Sequence, residues 1–170
     1  MKKLISIIMV TVMVLSMSAC AAPVAQEAAP AEEKAAFTGK YIVDAQYVMD
    51  HMKDENVLIV DARGEDAAKG GTVEGAVAVI WQQFASVSDG AAGDPMWGTI
   101  LDTDRLSAAL SAAGISQDKE IILFAAAQNG WGDDGRILWE LVAVGFPNVK
   151  MVDGGYDALV AAGVPTVKGA

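Results

Sequence analysis

Three continuous apolar runs constrain the fold of this 170-residue chain more than any other feature of its sequence. They cover residues 57–60, 121–124 and 149–152. A strand with one solvated face alternates apolar and polar residues, so continuous runs indicate strands that are buried on both faces, as in a parallel sheet. Residues 41–43 and 76–80 are weaker strand candidates.

Helical patterns lie between and after these runs. Four helices are predicted, over about 44–52, 103–113, 135–144 and 156–162. Asp44 and Thr103 are the predicted caps of the first two helices, because short polar side chains accept hydrogen bonds from a helix's first N–H groups. Strands that alternate with helices predict βαβ units and a three-layer α/β domain over 37–170, in which 86–99 form a surface loop.

The first 19 residues have the pattern of a secretory signal peptide. Lys2 and Lys3 precede an apolar stretch over 4–15, and small residues follow it. The stretch is shorter than the roughly 20 residues that span a bilayer as a helix. The cleavage region ends at Cys20 and resembles a bacterial lipobox, although Met17 stands where leucine is usual. We therefore expect Cys20 to be lipidated and to hold the chain on the outer face of the cell membrane.

Residues 20–36 are expected to be a flexible tether after the lipidated cysteine. The segment consists mainly of Ala, Pro and Glu without aromatic residues, so it cannot bury enough apolar surface to offset its ordering entropy.

The formal net charge of the chain is −10, and removal of the signal with its two lysines makes it −12. Such an acidic chain argues against nucleic-acid binding. With Cys20 the only cysteine and His51 the only histidine, neither an internal disulfide nor a Cys/His zinc site is available.

Five motifs follow one another along the chain. Residues 57–63 end in the pattern Asp61-x-Arg63, Glu65 follows, and 70–76 end in Gly75-Ala76. Residues 106–124 contain a predicted helix, turn and strand, and 148–156 contain the turn Asp153, Gly154 and Gly155. In this order the motifs resemble the rhodanese family, in which an acidic residue is frequent at the position of Glu65 and 70–76 correspond to a Gly-His-Ile-Pro-Gly-Ala segment, here with His and Pro replaced. The resemblance covers about 40–167 and implies a parallel sheet of about five strands flanked by helices.

The same resemblance implies that a catalytic cysteine is missing. Active members have a cysteine directly after the strand that corresponds to 121–124, and its thiolate takes up sulfur as a persulfide. Ala125 is the best match for that position. The equivalent of the active loop is Ala125, Ala126, Ala127, Gln128, Asn129, Gly130, Trp131, Gly132, Asp133, Asp134, Gly135 and Arg136. This loop contains no Ser or Thr, and Cys20 would lie on a tether without any preorganised site, so catalytic residues are not expected.

Three interpretations of the altered loop compete. Trp131 either presents an aromatic anchor to a partner or tucks into the domain, and the second is favoured because tryptophan is mostly buried. Asn129, Asp133 and Asp134 offer oxygen ligands to a cation, but an aspartate that caps the following helix explains the acids more simply. Arg136 and the helix N-terminus either hold a small anion, or Arg136 pairs with a neighbouring acid. Arg63 is expected to pair with an acid at the sheet edge.

The sequence thus predicts a membrane-tethered, extracytoplasmic rhodanese-like domain that lacks sulfurtransferase activity and acts as a binding or accessory module. One alternative is a sulfurtransferase-related protein that works with a thiol from a partner, and a second is a cation-binding surface lipoprotein. No cofactor is expected. The expected partners are the membrane, through the lipid anchor, and an unidentified protein or small anion.

Overall fold

Five of the described strands form one parallel sheet, and the other two form a separate antiparallel pair. The structure is a computed structural model that describes residues 39–87 and 91–168. The strands are β1 (Ile42–Val43), β2 (Val57–Asp61), β3 (Thr72–Val73), β4 (Val77–Ala78), β5 (Glu120–Phe124), β6 (Val149–Val152) and β7 (Thr166–Val167). The main sheet has the order β1-β6-β5-β2-β4, and β3 pairs with β7. The predicted signal (1–19) and the predicted Cys20 tether (20–36) lie outside the described residues.

The two longest strands lie at the centre of the sheet and set its register. β2 and β5 are aligned over their full length, from Val57 opposite Glu120 to Asp61 opposite Phe124. All neighbouring strands of this sheet are parallel. The expected parallel sheet of about five strands is therefore confirmed, and its central strands end at the same level.

Helices cover both faces of the sheet. They are α1 (Ala45–His51), α2 (Glu65–Gly70), α3 (Thr103–Ala112), α4 (Asp133–Ala143) and α5 (Gly155–Ala161), with a 3-10 turn over Trp81–Gln83. On one face, Leu106 of α3 and Ile137 of α4 pack against Ile121 and Leu123. On the other face, Val48 of α1 and Leu159 of α5 pack in a cluster with Ile122 and Phe124. Because the residues of β5 alternate between two buried clusters, the continuous apolar run is explained and the three-layer prediction is confirmed.

The helix starts differ in part from the sequence prediction. Asp44 caps α1 as expected, since its carboxylate accepts a hydrogen bond from the N–H of Tyr47 at 2.9 Å. The prediction that Thr103 caps α3 is wrong, because the side chain of Asp102 accepts the hydrogen bond from the N–H of Arg105, at 3.1 Å. The prediction that an aspartate caps α4 is also wrong, because the N-cap is Gly132 and both aspartates lie in the first turn.

No helix in the described part of the chain combines the length and the apolar character that a membrane span requires.

Candidate functional site

Three residues singled out from the sequence lie at the carboxyl edge of the central strands. Asp61 is the last residue of β2, Ala125 follows β5 directly, and Asp153 follows β6. Since these three strands are neighbours and parallel, their ends form one edge. Open α/β sheets place their ligand sites at this edge.

Asp61 and Arg63 form a buried, fully bonded ion pair there. Arg63 binds the carboxylate in bidentate fashion, with Nε 2.9 Å from Oδ1 and Nη2 2.7 Å from Oδ2. The backbone N–H of Arg63 donates to Oδ1 at 3.0 Å, and the hydroxyl of Thr72 donates to Oδ2 at 2.7 Å. The prediction that Arg63 pairs with an acid is confirmed. Both carboxylate oxygens already have two donors, so this pair is built for structure and not for binding a ligand.

The guanidinium of Arg63 also ties three elements together. Its Nη2 donates to the carbonyl of Gly71 at 2.7 Å, just before β3. Its carbon lies 3.8 Å from the ring centre of Tyr156 in α5, and that ring stacks on Phe124 of β5 at 5.8 Å between centres. The Asp-x-Arg pattern therefore locks β3 and α5 to the sheet.

Gly75, Ala76 and the 153–155 turn shape the backbone around this edge. Gly75 and Ala76 lie in the turn between β3 and β4, where the N–H of Ala76 donates to the carbonyl of Val73 at 3.0 Å. Asp153 and Gly154 connect β6 to α5. Gly155 has φ +56, and a Cβ on it would lie 2.2 Å from the carbonyl oxygen of Ala125, so only glycine fits.

Ala125 is enclosed, and its side chain belongs to the core. It is 1% exposed and is in the same buried cluster as Ile121 and Leu123, four and two residues earlier. Its carbonyl accepts a hydrogen bond from the N–H of Tyr156 at 2.9 Å. A larger side chain at this position would have to compete with packed apolar neighbours.

The loop after Ala125 is exposed and folds back on itself. Residues 126–132 are all exposed, and Asn129 adopts a left-handed conformation with φ +59. A Cβ on Gly130 would lie 2.1 Å from the carbonyl oxygen of Ala126, which shows how closely the two ends of the turn approach. The contact alone therefore requires glycine at 130, because its φ is not in the positive range that favours glycine.

The carboxylate of Asp134 occupies the N-terminus of α4. Its Oδ1 accepts a hydrogen bond from the N–H of Gly135 at 2.8 Å. Burial raises the pKa of Asp134, and Asp133 adds to this, while hydrogen bonds from the backbone N–H groups of Gly135, Asp134 and Ala125 oppose the rise. The start of α4, where the sequence suggested that a small anion could be held, is thus already occupied by a carboxylate of the chain itself.

Arg136 is paired inside the domain. Its Nε lies 2.9 Å from Oε1 of Glu140, one turn further along α4, and its Nη2 donates to the carbonyl of Gly98. Glu140 is 1% exposed, and its Oε2 has no hydrogen-bond partner in the described structure. Burial raises the pKa of Glu140 from 4.5 to about 7, although Arg136 pulls it down. Pairing of Arg136 with an acid was predicted; Glu140 was not identified, but its i, i+4 spacing from Arg136 could have indicated it.

Trp131 is 96% exposed, so the favoured prediction that it tucks into the domain is wrong. Residues 126–132 are all exposed, and its indole has almost no packing contacts within the described part of the chain. Trp131 also lines an open cleft of about 480 Å³ together with Trp81, Gln82, Trp97, Asp133 and Arg136. Trp81 and Trp97 could not be identified from the sequence, because they are distant from Trp131 in the chain and share the cleft with it only in the fold.

The candidate cation ligands do not form a site of the usual kind. The Oδ1 of Asp134 already accepts a hydrogen bond from the backbone N–H of Gly135, so this oxygen is not free to bind a cation. Within 39–87 and 91–168, no group of three or more His, Cys, Asp or Glu side chains is arranged to hold a metal ion. His51 lies elsewhere, at the end of α1, where its Nδ1 is 2.9 Å from a carboxylate oxygen of Asp54.

Known proteins are similar to this chain over most of its described residues. A family model described as the rhodanese-like domain matches residues 44–162. A Mycobacterium leprae protein named as a thiosulfate sulfurtransferase is 27% identical over 108 residues, which are 64% of this chain and 31% of that protein.

Solved structures share the fold at lower identity. SseA of Escherichia coli, described with the 3-mercaptopyruvate sulfotransferases, has 22% identity and a TM-score of 0.64, over 78% of this chain and 52% of that chain. The 3-mercaptopyruvate sulfurtransferase of Leishmania major has 18% identity and a TM-score of 0.63, over 79% and 38%. This chain therefore spans about a third to a half of the length of these three proteins.

Proposed function

We propose that this chain, which belongs to the rhodanese-like domain family, is a binding module that does not itself transfer sulfur. The observation that carries the proposal is the residue after β5. Sulfur transfer through a persulfide needs a thiolate on a preorganised loop, and the chain has Ala125 there and no cysteine after residue 20.

The electrostatics of the loop support the same conclusion. A thiolate and an anionic sulfur donor would both require the free N–H groups at the start of α4. The carboxylate of Asp134 already accepts one of these N–H groups at 2.8 Å. A second anion at this place would meet like-charge repulsion from Asp133 and Asp134, so the loop disfavours the donor as well as lacking the nucleophile.

The exposed indole supports a binding role. An indole that is 96% exposed leaves a large apolar surface in water, which folding alone does not favour. Tryptophan is the residue type most enriched where binding energy concentrates. We therefore propose that the loop was converted from a sulfur carrier into a contact surface.

The location belongs to the proposal too. The signal pattern over 1–19 and the lipobox-like sequence before Cys20 support export and lipid anchoring on the extracytoplasmic face of the membrane. Lipidation would also convert the one thiol of the chain to a thioether, which is no nucleophile.

A thiosulfate-to-cyanide assay tests the proposal. The full chain and its Cys20→Ser variant are both expected to form thiocyanate at the uncatalysed rate. Turnover by both proteins would overturn the proposal, because it would show a nucleophile within the domain. Turnover by the full chain alone would also overturn it and would assign the chemistry to Cys20.

A further inference from the structure

All four tryptophans of the chain lie around one arginine. Trp81, Trp97 and Trp131 line the open cleft of about 480 Å³ together with Arg136. Trp139 lies outside the lining, with its ring centre 4.8 Å from the guanidinium carbon of Arg136. Three of the four indoles therefore line this surface cleft, although Trp81 also packs against the core. A cleft of this size falls in the range of small-molecule sites.

Two of the indoles form a corner. The rings of Trp81 and Trp97 meet edge to face, with centres 5.7 Å apart and planes at 80°. Trp81 is fixed further, because the guanidinium carbon of Arg136 lies 5.0 Å from its ring centre. Trp97 is 37% exposed and Trp131 is 96% exposed, so both still offer apolar ring surface to a ligand.

The polar groups of the cleft are few and of mixed kind. Gln82 offers a donor and an acceptor, Asp133 offers acceptors, and Arg136 offers donors that remain beyond its bonds to Glu140 and Gly98. The formal charges of Asp133 and Arg136 cancel. A ligand for this cleft therefore needs flat apolar faces for the indoles and several hydroxyl-like groups at its edges, and it needs no net charge.

We propose that this cleft binds a neutral saccharide. A pyranose ring has C–H faces that pack on indoles and equatorial hydroxyls that both donate and accept hydrogen bonds. A cationic ligand would meet the guanidinium of Arg136, and an anionic ligand would meet Asp133 on a chain of net charge −10. The inference rests on the proposed binding function and names the ligand class of its contact surface.

Isothermal titration calorimetry of the full chain with cellotriose, maltotriose and chitotriose tests this inference. At least one trisaccharide should bind saturably. Trp131→Ala and Trp97→Ala should each weaken that binding by roughly tenfold, the range seen when an aromatic anchor is removed. Because the ligand is neutral, added sodium chloride should leave the affinity within about twofold. Val160→Ala, which removes an exposed apolar side chain on α5, should bind like the parent chain.

Several outcomes would overturn the saccharide site. These are no binding of any of the three sugars, or binding that neither tryptophan variant weakens. Choline serves as a competing probe, and choline binding that depends on Trp131 would replace the saccharide with a cation. Trp131 has almost no packing contacts, so its variant should fold even if Trp97→Ala does not. Failure to bind sugars would leave the absence of sulfur transfer untouched, whereas turnover in the thiocyanate assay would contradict the proposed function itself.

Discussion

Arg63 shows how one residue can hold a sheet edge together without touching a ligand. Its guanidinium is bidentate on Asp61, donates to Gly71 and covers the ring of Tyr156. A fully buried carboxylate is tolerated only when its oxygens are paired. Removing the cation would leave Asp61 with Thr72 and one backbone N–H as partners, which do not compensate its charge.

Arg63→Met is expected to destabilise the protein by about 3–5 kcal/mol, the usual effect of removing one partner of a buried ion pair. Methionine keeps much of the apolar stem, so the loss reports mainly on charge and hydrogen bonding. Arg63→Lys should lose less, because it keeps the charge but not the bidentate geometry. Urea denaturation followed by circular dichroism measures both variants.

Lys69→Met is the matched control for this substitution. It breaks an exposed pair with Asp66, which lies 2.8 Å away in α2, and no measurable loss is expected because solvent screens such pairs. Equal effects of the two methionine substitutions would show that the Asp61 pair has no special weight.

Glu140 should give the protein a pH-dependent stability. Its pKa is raised from 4.5 to about 7 by burial, so the folded protein binds this proton more tightly than the unfolded chain. The stability contributed by the proton is complete below pH 4.5 and is lost as pH rises through 7. Relative to Glu140→Gln, the parent protein should lose stability across this window at no more than about 1.4 kcal/mol per pH unit, and should lose no more above it.

Urea unfolding of both proteins at several pH values between 4 and 8 measures this difference. Other titrating groups cancel in the comparison because both chains share them. A difference that does not change with pH would contradict this prediction, because it would show that Glu140 has the same pKa in the folded and the unfolded chain.

At the scale of elements, the sequence predicted what depends on local pattern. The runs at 57–60, 121–124 and 149–152 became β2, β5 and β6 within one residue at each end, because buried central strands need continuous apolar sequence. The β3–β7 pair was missed, since each strand has two residues and their partners are about 94 positions apart in the chain. Helix α2 was missed because Gly64 supplies no side-chain cap.

In the candidate site, too, contacts between residues close in the sequence were predictable and contacts between distant residues were not. The ion pair of Arg63 was predictable because Asp61 is two residues away in the sequence. The exposure of Trp131 was not predictable from average burial, since it depends on a turn closed between Ala126 and Gly130. The tryptophan cleft was not predictable either, because it unites side chains from the 3-10 turn, a surface loop and the start of α4.

The end of β5 and the loop after it should differ sharply in reactivity. In a Cys20→Ser background, Ala125→Cys and Ala126→Cys place one thiol at neighbouring positions, of which the first is 1% exposed and the second is exposed. Iodoacetamide should alkylate Ala126→Cys at least roughly tenfold faster, because reaction needs an accessible thiolate. Mass spectrometry under native conditions measures the two rates.

Both variants should react at the same rate in denaturant, which is the control for intrinsic reactivity. Equal rates in the native state would contradict the view that a side chain at 125 points into the core. They would also mean that the missing sulfur atom alone separates this loop from a reactive one.

At the scale of the whole molecule, the chain has the rhodanese-like fold but no cysteine after β5. The sheet order, the Asp61–Arg63 pair and the Gly155 contact all serve to position the loop after β5. That loop has a buried alanine, an internal carboxylate and an exposed indole. A rigid support for an exposed aromatic side chain lowers the entropy lost on binding, which is a use of the scaffold that needs no thiol.

If Cys20 carries the proposed lipid anchor, its replacement should release the chain from the membrane. Cys20→Ser in a bacterial host should abolish labelling of the chain by radioactive palmitate and move it from the membrane fraction to the soluble fraction. Two or more acyl chains suffice for stable anchoring, at roughly 0.8 kcal/mol per buried methylene. With a net charge near −12 after loss of the signal, attraction to anionic headgroups cannot replace them. Ala22→Ser, two residues beyond the cysteine, should stay labelled and membrane-bound. A Cys20→Ser chain that remains in the membrane fraction would show that an uncleaved signal segment, and not a lipid, holds the protein there.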